Sequence, residues 1–214
     1  MPTKKNNDVL QIENQIMLWE IQEGVGYKHK MPKNVRGISL FTGAGGMDVG
    51  FKNAGINVIL ANELVQYACD TYEANHPDTK LLRGDIKDFM DEFTEGCADI
   101  VFGGPPCQGF SVAGKMDPND ERSQLIWTFL DVIERVRPKV FVMENVKALG
   151  TLEKWKPVRD RYLERTRALG YCCHYFVINS SDFGVSQNRE RVFFIGSQNE
   201  YEPANFLLEL NKQK

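Results

Sequence analysis

A thiol follows two prolines in Gly103-Gly104-Pro105-Pro106-Cys107-Gln108-Gly109-Phe110-Ser111, and a cysteine in so stiff a loop has the setting of a positioned nucleophile. A lone cysteine is more often an inert buried residue, so the thiol needs company. The thiolate is the reactive form, and from a free pKa of about 8.5 only a small fraction is ionised at neutral pH unless the loop or a helix start lowers it. Glu144, in Glu144-Asn145-Val146, adds a carboxyl that can donate a proton at neutral pH only if burial raises its pKa. In Gln187-Asn188-Arg189-Glu190-Arg191, alternation puts Gln187, Arg189 and Arg191 on one face of an extended segment. Those guanidiniums either serve a substrate or pair with Glu190 and other surface acids.

A second group of residues points to a ligand. Phe41-Thr42-Gly43-Ala44-Gly45-Gly46-Met47-Asp48 is a glycine-rich turn of the kind that lets a ligand approach the backbone. A dinucleotide fingerprint has glycine where Asp48 stands, and an acid there repels a pyrophosphate seated on the helix start. Glu63 lies twenty residues after Gly43, where an acid accepts hydrogen bonds from a ribose. The two features together fit a nucleoside without phosphates better than NAD.

These residues need elements to hold them. Five apolar runs recur between helical patterns: GISLFT from Gly37, NVILAN from Asn57, KLLRG from Lys80, ADIVFGG from Ala98 and KVFVMEN from Lys139. Continuous apolar runs alternating with helices predict a parallel sheet covered on both faces. Residues 122–136 show the clearest helical spacing, with Leu125, Phe129, Val132, Ile133 and Val136 on one side. YCCHYFVIN from Tyr171 and RVFFIG from Arg191 flank a polar turn containing Gly184 and read as an antiparallel pair at the sheet edge. In this arrangement the turn from Phe41, Glu63, Cys107 and Glu144 all fall at carboxyl ends of strands, the edge where open α/β sheets bind ligands. Ahead of the sheet, Val9, Ile12, Ile16 and Trp19 form one apolar helical stripe, read as a helix packed on the sheet, and YKHKMPKNVR reads as a solvated linker.

Composition narrows the class. The 214 residues are 42% hydrophobic and 26% charged, as in ordinary globular proteins. Net charge is −3, so no overall basic field draws the chain to nucleic acid, although a local patch is compatible with it. The five cysteines lack CxxC spacing and only three histidines accompany them, which suggests neither a metal site nor a disulfide framework. Cys97, Cys172 and Cys173 read as inert thiols within or beside apolar strands. With no apolar run approaching a membrane span and no leader-like start, the expected location is the cytoplasm.

Taken in order, FTGAGG, the acid Glu63, Gly84-Asp85-Ile86, GPPCQGFS, ENV and QNRER resemble the cytosine-C5 DNA methyltransferase family, over residues 37–197. The resemblance implies a Rossmann-like α/β fold with a mostly parallel sheet and an antiparallel edge hairpin. It implies S-adenosylmethionine, leaving as S-adenosylhomocysteine, held by Phe41, Gly43, Gly45, Glu63 at the ribose, Asp85 and Ile86 at the adenine, Pro105 and Leu125. It further implies Cys107 as the nucleophile, Glu144 at cytosine N3, and Arg189 and Arg191 near the flipped base and its phosphate in double-stranded DNA. Residues 1–36 are then a helical arm and linker, 37–197 the catalytic domain and 198–214 a polar tail. Members of the family continue beyond QxRxR into a target-recognition region and a late cofactor-side segment. The expectation is therefore a truncated enzyme or the catalytic half of a split restriction-modification methyltransferase whose second polypeptide supplies the rest. A tRNA-directed member of the same family and a non-catalytic binding subunit are the alternatives. If Glu63 carries the ribose, Glu63→Ala weakens S-adenosylmethionine binding by about 1–3 kcal/mol, and unchanged affinity by calorimetry in the folded variant removes Glu63 from the site.

Overall fold

The computed structural model describes residues 34–106 and 124–198. They form a seven-stranded sheet of order β3-β2-β1-β4-β5-β7-β6. The strands are β1 (Arg36–Leu40), β2 (Asn57–Glu63), β3 (Lys80–Arg83), β4 (Ile100–Gly103), β5 (Val140–Val146), β6 (Cys172–Asn179) and β7 (Glu190–Ser197). Each of the five predicted parallel runs is a strand, and β1 through β5 pair in parallel. The predicted hairpin is also present, but β7 inserts between β5 and β6, antiparallel to both, so the earlier strand of the pair is the edge. Ordinary Rossmann-like architecture with an antiparallel edge follows, as expected.

Helices cover both faces. On one lie α1 (Gly46–Asn53) and α2 (Gln66–Asn75), where the α1 ring of Phe51 stacks on Phe102 of β4 with centroids 3.8 Å apart. On the other lie α3 (Leu125–Val136), α4 (Lys147–Thr151) and α5 (Lys156–Ala168). Alternation along the strands makes the assignment: Phe102 and Phe141 sit in adjacent, opposite-facing pairs, and Phe141 meets Phe129 of α3 while Phe194 meets Tyr162 of α5. Phe129, Val132, Ile133 and Val136 of the helical stripe read from the sequence are fully buried and form the core face of α3 together with Ile126 and Leu130, while Leu125 at its start is only half-buried. Among the described residues no helix is long and apolar enough to cross a membrane, and no group of metal-ligating side chains is gathered. The segments 1–33 and 107–123, and with them the predicted Val9 to Trp19 stripe and Cys107, lie outside the described residues.

The order of strands reverses between β1 and β4, and here the backbones come closest. Leu40 and Gly103 are paired at the carboxyl ends of these two strands. A Cβ at Gly103 would fall inside the van der Waals shell of the Leu40 carbonyl oxygen, a backbone atom that cannot rotate away. Gly103→Ala therefore forces β1 and β4 apart. It should destabilise the domain by about 1–3 kcal/mol or more, read as a lowered midpoint in thermal or urea unfolding.

Candidate functional site at the strand-order reversal

The turn after β1 is fixed from beneath by a buried carboxyl group. Asp48, in the first turn of α1, is fully buried and accepts hydrogen bonds from Ser39 Oγ at 2.8 Å, Thr42 Oγ1 at 2.7 Å and Tyr72 Oη at 2.7 Å. Burial, helped by the Asp48 carboxylate, pushes the Tyr72 phenol far above its ordinary pKa, so it remains a donor. An acid early in a helix also complements the helix dipole. By sequence Asp48 only excludes a pyrophosphate; in the fold it also ties β1, the turn and α2 together. The informative signals were Ser39 inside an apolar strand and Thr42 in the turn, hydroxyls that need a buried acceptor.

Two backbone strains shape the turn. Phe41 is held at φ 55°, a region that non-glycine residues seldom occupy and that recurs at binding sites. Gly45 takes φ 88° as the residue before α1, and His76 packs so closely against it that no side chain fits. His76 stacks on Tyr72 with centroids 4.5 Å apart, and neither of its buried ring nitrogens has a hydrogen-bond partner.

Glu63 arrives from the end of β2. It is 8% exposed; its Oε2 accepts the Gly43 N–H at 2.7 Å and its Oε1 the Val65 N–H at 2.8 Å. A carboxylate offers about four acceptor positions, so each oxygen keeps capacity for a further hydroxyl. Above Gly43 and Gly46 a Cβ would meet none of the described residues within 4 Å, so among them the turn is open to a ligand. After β3, Asp85 caps a short 3-10 helix (Ile86–Glu92) by accepting the Lys87 N–H at 3.0 Å, with its carboxyl exposed and Ile86 buried beneath it. Leu125, half-buried, opens α3.

Across the reversal stands the second acid. Glu144 is in β5, its side chain 20% exposed, with Oε1 3.0 Å from Arg191 Nε and 3.9 Å from Arg189 Nη2. Burial raises its pKa above the ordinary carboxyl value, although both arginines pull the other way. The shared face predicted for Arg189 and Arg191 is thus directed at Glu144. Glu190, the acid proposed as their neutralising partner, instead holds Lys147 at 2.7 and 2.8 Å. Gln187 is exposed ahead of β7 and its N–H donates to the Val185 carbonyl. A Cβ at Gly104 would come within 3.2 Å of Glu144 Oε2, and Asn145 Nδ2 donates to the Pro105 carbonyl at 3.2 Å. Asn145 therefore holds, and Glu144 lies against, the loop that runs through buried Pro105 and exposed Pro106 into Cys107, which lies outside the described residues. Of the other thiols, burial pushes Cys173 up to about 12 and raises Cys69 as well, as expected of inert groups, while Cys172 is exposed beside His174.

A glycine turn, a buried acid and a second, mostly buried acid thus meet at the strand-order reversal of a Rossmann-like α/β sheet, the place where such sheets bind ligands. The family model for C-5 cytosine-specific DNA methylases matches residues 35–214, and the chain belongs to that family. It is 42% identical over 176 residues to the Type II methyltransferase M.AquIA of Picosynechococcus sp., covering 75% of this chain and 71% of the relative. It is also 42% identical over 167 residues to the Type II methyltransferase M1.HphI of Haemophilus parahaemolyticus, of which 45% is covered. Among solved structures, one described as a DNA modification methyltransferase encoded within an E. coli prophage aligns with a TM-score of 0.64 and 31% identity, over 77% of this chain and 47% of that one. The S. pombe Dnmt2 methyltransferase shares the fold, with a TM-score of 0.62 at 22% identity over 79% of this chain and 52% of that one. Apart from M.AquIA, the matched relatives named here are spanned over about half their length.

The opposed influences on Glu144 give a test in pH. A raised native pKa means that the folded state favours the protonated acid, so Glu144 costs stability in full above that pKa, and the cost shrinks as pH falls below it and is gone below the ordinary carboxyl value. Glu144→Gln removes the ionisable group at constant shape. The variant should be at least as stable as the parent at neutral pH, and its advantage should vanish on acidification. A Glu144→Gln protein that unfolds more easily at neutral pH than the parent contradicts this ordering.

Proposed function

We propose that residues 37–197 form the catalytic domain of a cytoplasmic enzyme that transfers a methyl group to carbon 5 of a flipped cytosine in double-stranded DNA. The observation that carries the reading is the setting of Glu144: mostly buried, raised in pKa, faced by two arginines and packed on the loop that leads to Cys107. The turn beyond Phe41 fits the cofactor, since Glu63 retains acceptor capacity beside an open Gly43, and Asp85 with Ile86 offers an acceptor and an apolar surface to an adenine. Gly45, Pro105 and Leu125 complete the set assigned to it. When bound, S-adenosylmethionine supplies an electrophilic methyl carbon and departs as S-adenosylhomocysteine.

Carbon 5 of cytosine is too weak a nucleophile to take that methyl group unaided. The Cys107 thiolate adds to C6, forming an S–C6 bond and moving electron density toward C5. Glu144 hydrogen-bonds to or protonates N3, which spares the ring a negative charge as the bond forms. The adjacent arginines hold the Glu144 carboxyl in place and lie where the base and its phosphate enter. After methyl transfer a base removes the C5 proton, the S–C6 bond breaks and the thiolate is released. Stacked neighbours block perpendicular attack within the duplex, so the cytosine is extruded, at a cost of a few kcal/mol.

Site selection on DNA is assigned to a part beyond the matched stretch, on the same or a second polypeptide. The partial coverage of M1.HphI and the prophage enzyme supports that division. The experiment is covalent trapping on duplex DNA carrying 5-fluorocytosine, which cannot release its C5 substituent, with S-adenosylmethionine present. The chain is assayed alone and with polypeptides co-purified from its native source. A denaturation-stable adduct should map to Cys107 and be absent from Cys107→Ser. An adduct at Cys69 or Cys97, or none in the reconstituted mixture, refutes the mechanism.

A further inference from the structure

One buried amide joins the two turns assigned to the cofactor. Asn62 is the next-to-last residue of β2, 2% exposed and immediately before Glu63. Its Nδ2 donates to the Leu82 carbonyl and to the Gly84 carbonyl, each at 3.0 Å. Its own backbone carbonyl accepts the Thr42 N–H at 3.1 Å, which anchors the glycine turn. The β2–β3 ladder ends with Asn62 opposite Leu82 and Glu63 opposite Arg83, so the Gly84 carbonyl lies past the last paired residue. The Asn62 side chain extends the tie between the strands by one more carbonyl, while the Gly84 N–H donates back to the Glu63 carbonyl at 2.9 Å. Gly84, which leads directly into Asp85, is thereby held at both its N–H and its C=O by the pair Asn62-Glu63.

We propose that Asn62 is a positioning residue for the adenosine half of the cofactor. It sets the Gly84-Asp85 turn against Glu63, so that the acid at the ribose and the acid at the adenine address one nucleoside. The inference rests on the reading that these turns bind S-adenosylmethionine. Asn62 touches no ligand itself; it acts through Gly84 and Asp85. Aspartate has the same shape but no N–H to donate, and it puts an acceptor oxygen where Nδ2 faced the Leu82 and Gly84 carbonyl oxygens. A role confined to stability would lower the unfolding midpoint of such a variant without coupling its binding to Asp85.

The test uses the full 214-residue chain and calorimetric titration with S-adenosylhomocysteine and, separately, adenosine. Asn62→Asp should weaken both ligands by about tenfold, the loss expected when buried partners are left unpaired. Combined with Asp85→Ala, the double variant should lose much less than the product of the two single losses, because the second change removes what the first one misplaces. Unchanged affinity in a folded Asn62→Asp protein, or losses that multiply independently, overturns the positioning role while leaving the cofactor reading intact. A parent chain that binds neither ligand overturns both. Should the aspartate variant fail to fold, Asn62→Ser enters the same cycle, and hydrogen exchange of the Asn62 side-chain amide in the parent gives a second readout. S-adenosylhomocysteine should slow that exchange, and an unaltered rate counts against the proposal.

Discussion

A carboxyl group withdrawn from water sets the geometry on which the glycine turn and its surroundings depend. A buried acid without partners is expensive, and Asp48 avoids the penalty by taking hydroxyl donors from β1, from the following turn and from α2. Those donors come from elements that are separate in the sequence. Satisfying one acid therefore fixes where β1 stops, where α1 starts and how closely α2 lies against both. The positive φ of Phe41 and the contact of His76 with Gly45 are consequences of that closure, since the chain must leave β1 sharply for Asp48 to reach back under the strand. Glu63 then meets a turn whose Gly43 N–H already points at it.

The other half of the site is built on a balance. Glu144 is desolvated, which favours the neutral acid, yet two guanidiniums favour the carboxylate. Neither influence removes the other, and the group is left easier to protonate than a free carboxyl while remaining oriented by charge. For the role proposed for it at a ring nitrogen, that is a useful compromise: an unpaired buried acid would be neutral but unoriented, and a fully solvated pair would be oriented but a poor proton donor. Arg191 is three-quarters covered and Arg189 about half, so the inner arginine is the firmer tether and the outer one stays open to solvent.

Much of this was legible in the sequence, and the limits have physical causes. Uninterrupted apolar runs exposed β1 through β5, because strands covered on both faces cannot hide their composition. The insertion of β7 between β5 and β6 was not legible, since pairing order is decided by contacts far apart in the chain rather than by any local pattern. Helix α5 was equally obscure: its buried positions are Arg159, Tyr162 and Thr166, polar letters that conceal a core face. Arg159 reaches that position by donating to the Leu149 and Leu152 carbonyls, which a periodicity argument does not anticipate. In the site, Glu63 and Glu144 are legible from type and position, the arginines take a site role only through the family resemblance, and Asp48, Asn62 and Tyr72 are not legible as supports. Catalytic types announce themselves by their rarity in such places, but supporting residues are defined by partners that only the folded chain supplies.

The pairing around Glu144 also limits what this surface can contribute to DNA affinity. Counterion release scales with the number of phosphates that free cations neutralise. At the carboxyl end of the antiparallel strands, Arg191 and Arg189 are turned toward Glu144 and Lys147 is clasped by both oxygens of Glu190. Each of these cations is thus matched to an acid before any phosphate arrives, in keeping with the overall charge of −3. A phosphate approaching Arg189 competes with a carboxyl group that burial already inclines toward its neutral form, and protonation of Glu144 would free the arginine's charge for the incoming backbone. Under the proposed mechanism this patch would orient a base and manage one proton, and long-range attraction to a duplex would draw on charges other than these three.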